Sequence, residues 1–269
     1  MLLREVEYAR PASVEDALRL LAEHEGARAL AGGQTLINVM KARAASPDVL
    51  VDLNVLDDLR GIDLAADGTV TLGAMVTYTE IVESAETRAR PILGEVCNQI
   101  ADVQVRNRGT IGGNLCSNDP TNHLPPLMVA LGATMTIAGA AGEREVPADE
   151  FFLGVYMTAV GPGELLTRIS IPPGRSDGFA SVPIGRDGTC IVNAAASLDG
   201  GSARVAIGCV DAVPIPLTPA SPEPDAVRDA VRGARLDPPS DVHASADYRR
   251  HLAEVLAVRA VQQARERAQ

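Results

Sequence analysis

The sequence predicts an α+β fold in which two subdomains of mixed strands and helices precede a small C-terminal domain of sheet plus helices. Three patterns indicate it: a strand–turn–helix–strand run near the N-terminus, strand pairs joined by glycine turns in the middle, and a long helical pattern at the end. The 269 residues suffice for two domains of ordinary size. We place the boundary after Pro172-Pro173-Gly174, which gives domains 1–174 and 175–269, and divide the first at about residue 56.

The first subdomain has the pattern of a βαβ unit. A helix capped by Ser13 precedes a strand over 27–31, a second helix over 35–44 and a strand over 49–53. The pair Gly32-Gly33 lies at the corner between the first of these strands and the second helix. Turns at such corners direct backbone N–H groups at anions, so we expect an anion-binding turn here.

The second subdomain, residues 57–174, begins with a hairpin signal. Alternating residues over 61–64 and 69–73 flank the turn Asp67-Gly68, which is typical of a tight turn between two strands. The remaining patterns predict helices near 79–84, 92–101 and 124–133, and strands near 134–138, 143–146 and 164–171.

The C-terminal domain begins with another hairpin, over 190–198 and 202–210. Five prolines within 214–224 exclude a regular helix there, and helices are predicted over 225–232 and 245–267. The last helix carries arginines that we interpret as a solvated face or as a contact with a partner subunit: Arg249, Arg250, Arg259, Arg265 and Arg267.

Composition excludes several classes of protein. A formal net charge of −11 disfavours nucleic acid as a partner, and 3% aromatic residues leave few groups on which bases could stack. The N-terminal residues lack an apolar signal core, and no apolar run has the length of an integral membrane segment, so we expect a cytoplasmic protein. The cysteines form no CxxC pair, which argues against a metal site or a self-contained iron–sulfur cluster.

Two glycine pairs are the main candidates for a binding site. We expect Gly112-Gly113, within the segment 110–126, to lie in a loop whose backbone N–H groups can come close to a large anionic ligand, because these residues have no Cβ. A run of polar side chains follows this pair, and Gln34 and Thr35 follow Gly32-Gly33. Either pair alone is more typical of a simple turn. Together they suggest one ligand held at two points, and an uncharged lining suits a pyrophosphate with a ribityl chain and sugar hydroxyls. The polar residues after the second pair are Asn114, Asp119, Asn122 and His123.

The role of His123 stays open between a hydrogen-bonding residue, a general base and a metal ligand. The chain lacks the GxGxxG, P-loop and GxSxG motifs, so neither a Rossmann site, an NTPase nor a serine nucleophile follows. Catalytic residues are therefore left unassigned, and redox chemistry would come from a cofactor.

At these segments the chain resembles the FAD-binding medium subunit of the molybdenum hydroxylases, the group that contains aerobic carbon monoxide dehydrogenase and xanthine dehydrogenase. The resemblance rests on AGGQTLINVMKAR at 31–43, RNRGTIGGNLCSNDP at 106–120, LPPLMVALGA at 124–133, GELLTRISIP at 163–172 and SADYRRHLAEVLAVRAV at 245–261. It extends nearly from end to end of the chain.

The resemblance implies an FAD-binding fold of the p-cresol methylhydroxylase (PCMH) or vanillyl-alcohol oxidase (VAO) type, with a C-terminal domain like that of the carbon monoxide dehydrogenase flavoprotein. It implies partners as well: a small subunit with two [2Fe–2S] clusters and a molybdopterin large subunit, whose electrons reach an external acceptor through FAD. The expected FAD-binding residues are Ala29, Leu30, Ala31, Gly32, Gly33, Gln34, Thr35, Leu36, Thr110, Ile111, Gly112, Gly113, Asn114, Asp119, His123 and Leu166.

Three features depart from the family pattern. His123 stands where relatives commonly carry an aspartate, Val182-Pro183 replaces a frequent lysine within 179–186, and the proline-rich stretch 210–245 looks short, as if a helix were lost. His123 and the short C-terminal region favour one alternative to the electron-transfer subunit, a free-standing FAD-dependent oxidoreductase acting directly on a small substrate. A second alternative is a non-catalytic interaction protein with a vestigial flavin fold, which the intact glycine pairs disfavour.

Overall fold

The computed structural model describes residues 2–174, 176–185 and 189–268. Helices and strands are both abundant, and the strands form a three-stranded, a five-stranded and a four-stranded sheet together with one small hairpin. The predicted α+β class is confirmed. Each of the three larger sheets lies within one of the three predicted segments of the chain, and the division into domains itself stays a prediction.

The N-terminal sheet is parallel throughout, in the order β1-β3-β2. The neighbouring strands β2 and β3 are joined through α2, which confirms the predicted βαβ unit. The first helix begins where expected, because the Ser13 side chain accepts a hydrogen bond from the backbone N–H of Asp16 at 3.2 Å. The elements are β1 (Glu7–Ala9), α1 (Val14–Glu23), β2 (Ala27–Leu30), α2 (Leu36–Lys41) and β3 (Val49–Asp52).

The second subdomain is built on an antiparallel sheet in the order β4-β5-β10-β6-β7, and the predicted hairpin at its start is confirmed. Short 3-10 helices occupy Leu53–Val55, Asp57–Leu59 and Glu86–Ala89. The other elements are β4 (Ile62–Leu64), β5 (Val70–Gly73), α3 (Tyr78–Glu83), α4 (Ile92–Cys97), α5 (Val103–Arg106), α6 (Ile111–Ser117), α7 (Leu124–Leu131), β6 (Thr134–Gly139), β7 (Gly142–Pro147), α8 (Ala148–Phe151), β8 (Phe152–Gly154), β9 (Met157–Thr158) and β10 (Leu165–Ile171).

Helix α7 connects the second subdomain to the C-terminal sheet. All eight of its residues are buried, which explains why its sequence is apolar on every face. It packs between its own subdomain and strands β12 and β13, and two prolines occupy its first turn, where their missing N–H groups cost nothing. The C-terminal elements are β11 (Asp177–Ile184), β12 (Thr189–Asp199), β13 (Ser202–Gly208), β14 (Ile215–Leu217), α9 (Pro224–Gly233) and α10 (Ala246–Arg267).

The long helix α10 covers the C-terminal sheet. Its apolar residues Leu252, Leu256 and Val261 join buried residues of β12 and β13 in one cluster. Arg249 is 3% exposed, so its interpretation as part of a solvated face is wrong, whereas Arg250, Arg259 and Arg265 are exposed as predicted. The reason is that the first turn of the helix faces the loop at Asp241, whose carboxylate accepts from Arg249 at 2.6 Å.

Two further sequence features have structural counterparts. The pair Val182-Pro183 lies on β11 at a register shift against β12, a position that tolerates proline within a sheet. Arg186, at the end of the same motif, and Arg175, at the start of the predicted C-terminal domain, lie outside the described residues.

Within the part of the chain that the structure describes, no helix combines the length and apolarity needed to cross a bilayer.

Candidate functional site

The two glycine pairs, eighty residues apart in the sequence, lie against each other in the fold. A Cβ placed on Gly32 would lie 2.0 Å from the carbonyl oxygen of Arg108, and a Cβ on Gly113 would lie 3.5 Å from the Cβ of Ala31. The backbone of 31–33 therefore packs directly on the segment that leads into α6. The close approach requires a glycine at position 32, and the positive φ of 72° favours a glycine at position 33.

The first glycine turn presents unpaired backbone donors. The backbone N–H groups of residues 32–36 have no acceptor in the described part of the chain. Carbonyl groups of the same turn, by contrast, do accept hydrogen bonds. The turn is half-buried apart from Thr35, which is exposed. Consecutive unpaired N–H groups form the kind of concave donor surface that binds phosphate oxygens. The anion-binding role of this turn stays a prediction.

The second glycine pair has a different structural role from the one we expected. Residues 111–117 form helix α6 instead of an open loop, and Thr110 caps it by accepting from the N–H of Gly113 at 3.1 Å. The N–H of Gly112 donates to the carbonyl of Ala74 at 2.9 Å. The prediction that these glycines offer free N–H groups is therefore wrong. They are needed for packing instead, since a Cβ on Gly112 would lie 2.5 Å from the same carbonyl oxygen.

Asn114, on α6, has a buried polar atom without a hydrogen-bond partner. Its side-chain oxygen Oδ1 is buried and accepts no hydrogen bond in the described structure. Leaving a buried acceptor unpaired costs free energy, so such an atom marks a position where a donor from a ligand is favourable. The backbone carbonyl of Asn114 is already engaged, because it accepts from Ser117 Oγ at 2.8 Å and from Asn122 Nδ2 at 3.4 Å.

Asp119 stabilises the turn that follows α6. Its Oδ1 accepts from the N–H and the hydroxyl of Thr121 at 2.9 and 2.7 Å, and its Oδ2 accepts from the Tyr156 hydroxyl at 3.0 Å. Burial and the neighbouring Asp119 carboxylate raise the pKa of Tyr156, so its hydroxyl stays a donor. Asp119 thus fixes the local backbone between α6 and α7.

His123 faces the C-terminal sheet. It is 3% exposed, its ring stacks on Phe179 with centroids 5.6 Å apart, and Nε2 lies 3.3 Å from the Cys190 sulfur. A hydrogen bond from Cys209, together with His123, lowers the pKa of Cys190 to about 5. Among the described residues no group of three metal-ligating side chains converges, so the hydrogen-bonding interpretation of His123 fits the geometry better than a metal ligand.

The remaining predicted residues flank these segments. Ala29 and Leu30 end strand β2, half-buried, directly before the first glycine turn. Leu166 is 4% exposed on β10, beside an irregularity in the pairing with β6, and this strand packs on α6. The structure thus brings the first glycine turn, α6 and the flanking strands into one region, with His123 on the side of the C-terminal sheet.

Sequence reasoning missed Asn54, which contacts the first glycine turn. Its Nδ2 donates to the carbonyl of Ala31 at 2.8 Å, and Asp52 accepts from the same amide at 2.7 Å. The available signal was two polar residues, Asp52 and Asn54, at the carboxyl end of a buried strand. Side chains after neighbouring parallel strands meet at one edge of the sheet, as those after β2 and β3 do here.

Comparison with known proteins assigns this arrangement to a family. Residues 4–174 match the family described as the FAD binding domain in molybdopterin dehydrogenase, and the chain belongs to it. FAD is accordingly its cofactor, and the chain is a component of a flavin-dependent oxidoreductase.

Individual relatives extend the match beyond that domain. The chain is 39% identical to the carbon monoxide dehydrogenase medium chain of Afipia carboxidovorans, with 97% of each chain covered. It is 33% identical to the glyceraldehyde dehydrogenase medium chain of Sulfolobus acidocaldarius, over 95% of this chain and 97% of the relative. A solved carbon monoxide dehydrogenase structure from Oligotropha carboxidovorans superposes with a TM-score of 0.92 at 37% identity, covering 99% of this chain and 100% of that one. Because almost the whole length of these relatives is matched, the expectation that the C-terminal domain has lost a helix gains no support.

Proposed function

We propose that this chain is the FAD-binding electron-transfer subunit of a molybdenum hydroxylase complex. It would carry electrons from [2Fe–2S] clusters of a small partner subunit to an external acceptor, while a molybdopterin large subunit acts on the substrate. Support comes from relatives that are medium chains or medium subunits and that this chain matches over nearly their whole length. The cytoplasmic location stays a prediction that accompanies this proposal.

The observation that carries the proposal is the turn at 32–36 with its unpaired N–H groups, packed on the segment that contains α6. Its donors fit a pyrophosphate, the absence of a Cβ on Gly32 and Gly113 lets the two segments pack closely, and the unpaired Asn114 Oδ1 fits a donor from the cofactor. When bound, FAD supplies the capacity to accept and release electrons. The protein residues bind and orient it.

The acidity of the chain favours recognition of the cofactor by local donors. With a net charge of −11, the protein repels an anionic cofactor at long range, so local donors have to provide the recognition. In the turn at 32–36 those donors are backbone N–H groups, whose dipoles bind an anion without a cationic side chain. The binding site therefore rests on backbone geometry, and the glycines matter for the shape they permit.

The first test is isolation of the chain from its own host with an affinity tag. We expect equimolar flavin together with two further chains, one carrying iron–sulfur clusters and one carrying molybdenum, and we expect the flavin to be reduced when substrate of the large chain is added. A chain that purifies alone with flavin and oxidises a small molecule directly would instead support the free-standing oxidoreductase. A chain that remains colourless after incubation with FAD would contradict both.

A further inference from the structure

Side-chain amides hold the carbonyl groups of the first glycine turn. Asn54 Nδ2 donates to the Ala31 carbonyl at 2.8 Å, and Gln34 Nε2 donates to the Gly32 carbonyl at 3.1 Å. Asn38 Nδ2 donates to the Gln34 carbonyl at 2.7 Å. The remaining carbonyl of the turn, that of Gly33, accepts from the backbone N–H of Ile37 at 3.2 Å. Every carbonyl over 31–34 is therefore engaged.

Because of peptide-bond geometry, the engaged carbonyls also fix the directions of the N–H groups in the same peptide units. In a planar trans peptide the carbonyl of one residue and the N–H of the next point in opposite directions. Fixing the carbonyls of 31–34 consequently fixes the N–H groups of 32–35 on the other side, where they have no acceptor among the described residues. We infer that Asn54, with Gln34 and Asn38, is a positioning residue that orients these four N–H groups toward the diphosphate of the cofactor.

Asn54 is itself held in place from β3. Asp52 Oδ1 accepts from the backbone N–H and the side-chain amide of Asn54 at 3.0 and 2.7 Å, and the Tyr8 hydroxyl donates to Asp52 Oδ2. Burial alone would raise the pKa of Asp52, but the hydrogen bonds from Tyr8 and Asn54 hold it below its usual range. An ionised Asp52 can only accept, so it forces the amide nitrogen of Asn54, and not its oxygen, to face this network.

This arrangement explains why a turn containing two glycines can hold a defined shape. Glycine loses more conformational freedom on ordering than other residues, and an unbraced turn would have to be ordered by the ligand. Bonds that order the turn beforehand remove that cost from binding. The inference rests on the proposed function, because it takes FAD as the ligand. It adds a claim that FAD binding alone does not make: loss of the Asn54 contact weakens only the binding of the diphosphate.

The experiment uses the full chain freed of FAD and three ligands: FAD, ADP, which keeps the diphosphate, and riboflavin, which lacks any phosphate. Asn54→Ala should weaken FAD and ADP about fivefold to tenfold, the loss of one oriented hydrogen bond, and leave riboflavin unchanged. Asn54→Asp, which keeps the size but cannot donate to Ala31, should behave alike. Gln99→Ala is the matched control, since Gln99 Nε2 also donates to a backbone carbonyl, that of Glu95 at 3.2 Å, but in α4 and its following turn.

The outcomes separate the two claims. If the unaltered chain binds no FAD, the proposed function fails. If it binds FAD and the Asn54 variants bind FAD and ADP as tightly as it does, the positioning role is overturned while the proposed function stands. Equal weakening of all three ligands, or the same effect from Gln99→Ala, would indicate a general loss of structure and would also overturn the positioning role.

Discussion

Arg90 and Asp177 form a buried ion pair that joins the second subdomain to the C-terminal sheet. Their side chains are 3% and 1% exposed, and Arg90 donates from Nε and Nη2 to the two carboxylate oxygens at 2.9 and 2.8 Å. The same guanidinium donates to the Ser197 hydroxyl at 2.9 Å and to the carbonyl of Pro172. The pair crosses the boundary that we placed after Gly174, so it connects the two predicted domains. Each bond in it is donated by the charged Arg90 guanidinium, which makes the contact a strong one.

Asp177→Asn should strongly destabilise the chain, because it leaves the Arg90 guanidinium buried beside a neutral partner. Breaking one partner of a buried pair costs about 3–5 kcal/mol, which urea unfolding of the full chain would measure. Glu143→Gln is the control: Glu143 pairs with Arg168 at 3.1 Å on the surface, and loss of such a pair costs less than about 1 kcal/mol. Equal effects of the two substitutions would show that burial does not set the strength of the Arg90 contact.

Gly32→Ala should both destabilise the fold and weaken FAD binding. The new methyl group would lie 2.0 Å from the Arg108 carbonyl oxygen, so one of the two backbone segments has to move. Overpacking of this kind costs about 1–3 kcal/mol, and the displacement would disturb the N–H groups of the turn. Thermal unfolding and FAD titration would measure the two effects. Gly233→Ala, with nothing within 4 Å of the added carbon, should leave both unchanged, and an unaltered FAD affinity in Gly32→Ala would contradict the proposed site.

The fold was predictable where local sequence determines it. The βαβ unit and the hairpins at Asp67-Gly68 and Asp199-Gly200 depend on alternation and turn residues within short windows, and the structure has them. Helix α6 was missed because Gly112-Gly113 disfavours a helix locally. It forms because Thr110 caps it and because its first N–H groups bond to the chain at 74–76, a contact that no local pattern reveals.

The candidate site was predictable only in part, for a similar reason. The glycine pairs stand out in the sequence, but their contact depends on packing between 31–33 and 108–113. Asn54 lies 23 residues from the carbonyl it holds, and its position after β3 indicates the edge of the sheet but not its contact with the turn. Resemblance to a family identified the cofactor, whereas the hydrogen bonds that shape the turn became visible only in three dimensions.

Arg249→Ala should loosen the attachment of α10 to the C-terminal sheet. The buried guanidinium donates to Asp241 Oδ2 at 2.6 Å and to the carbonyls of Ile191 and Cys209, so its removal leaves several acceptors without a donor. We expect a loss of about 2–3 kcal/mol in the free energy of unfolding, measured in urea. Arg259→Ala, at an exposed position of the same helix, should have no measurable effect. If the two variants unfold alike, Arg249 behaves as the surface residue that its sequence pattern suggested.

Cys190 should be ionised well below the usual pH for a thiol. Its pKa is lowered to about 5 from a usual value of 9.0, because the Cys209 thiol and His123 both stabilise the thiolate. The ionised form is thus favoured by the fold, and the stability it contributes is present above pH 9, declines as the pH falls, and is lost near pH 5.

Ultraviolet absorbance of the thiolate in the FAD-free chain would follow this ionisation. The unaltered chain should lose a thiolate signal as the pH falls through about 5, and Cys190→Ser should lack that transition. Cys97→Ser should keep it, because burial raises the pKa of Cys97 to about 12 and its thiol is neutral throughout this range. His123→Ala should move the transition to higher pH, since it removes a partner 3.3 Å from the sulfur. A transition that stays in place without His123 would assign the stabilisation of the thiolate to Cys209 alone, and its persistence in Cys190→Ser would mean that another group titrates.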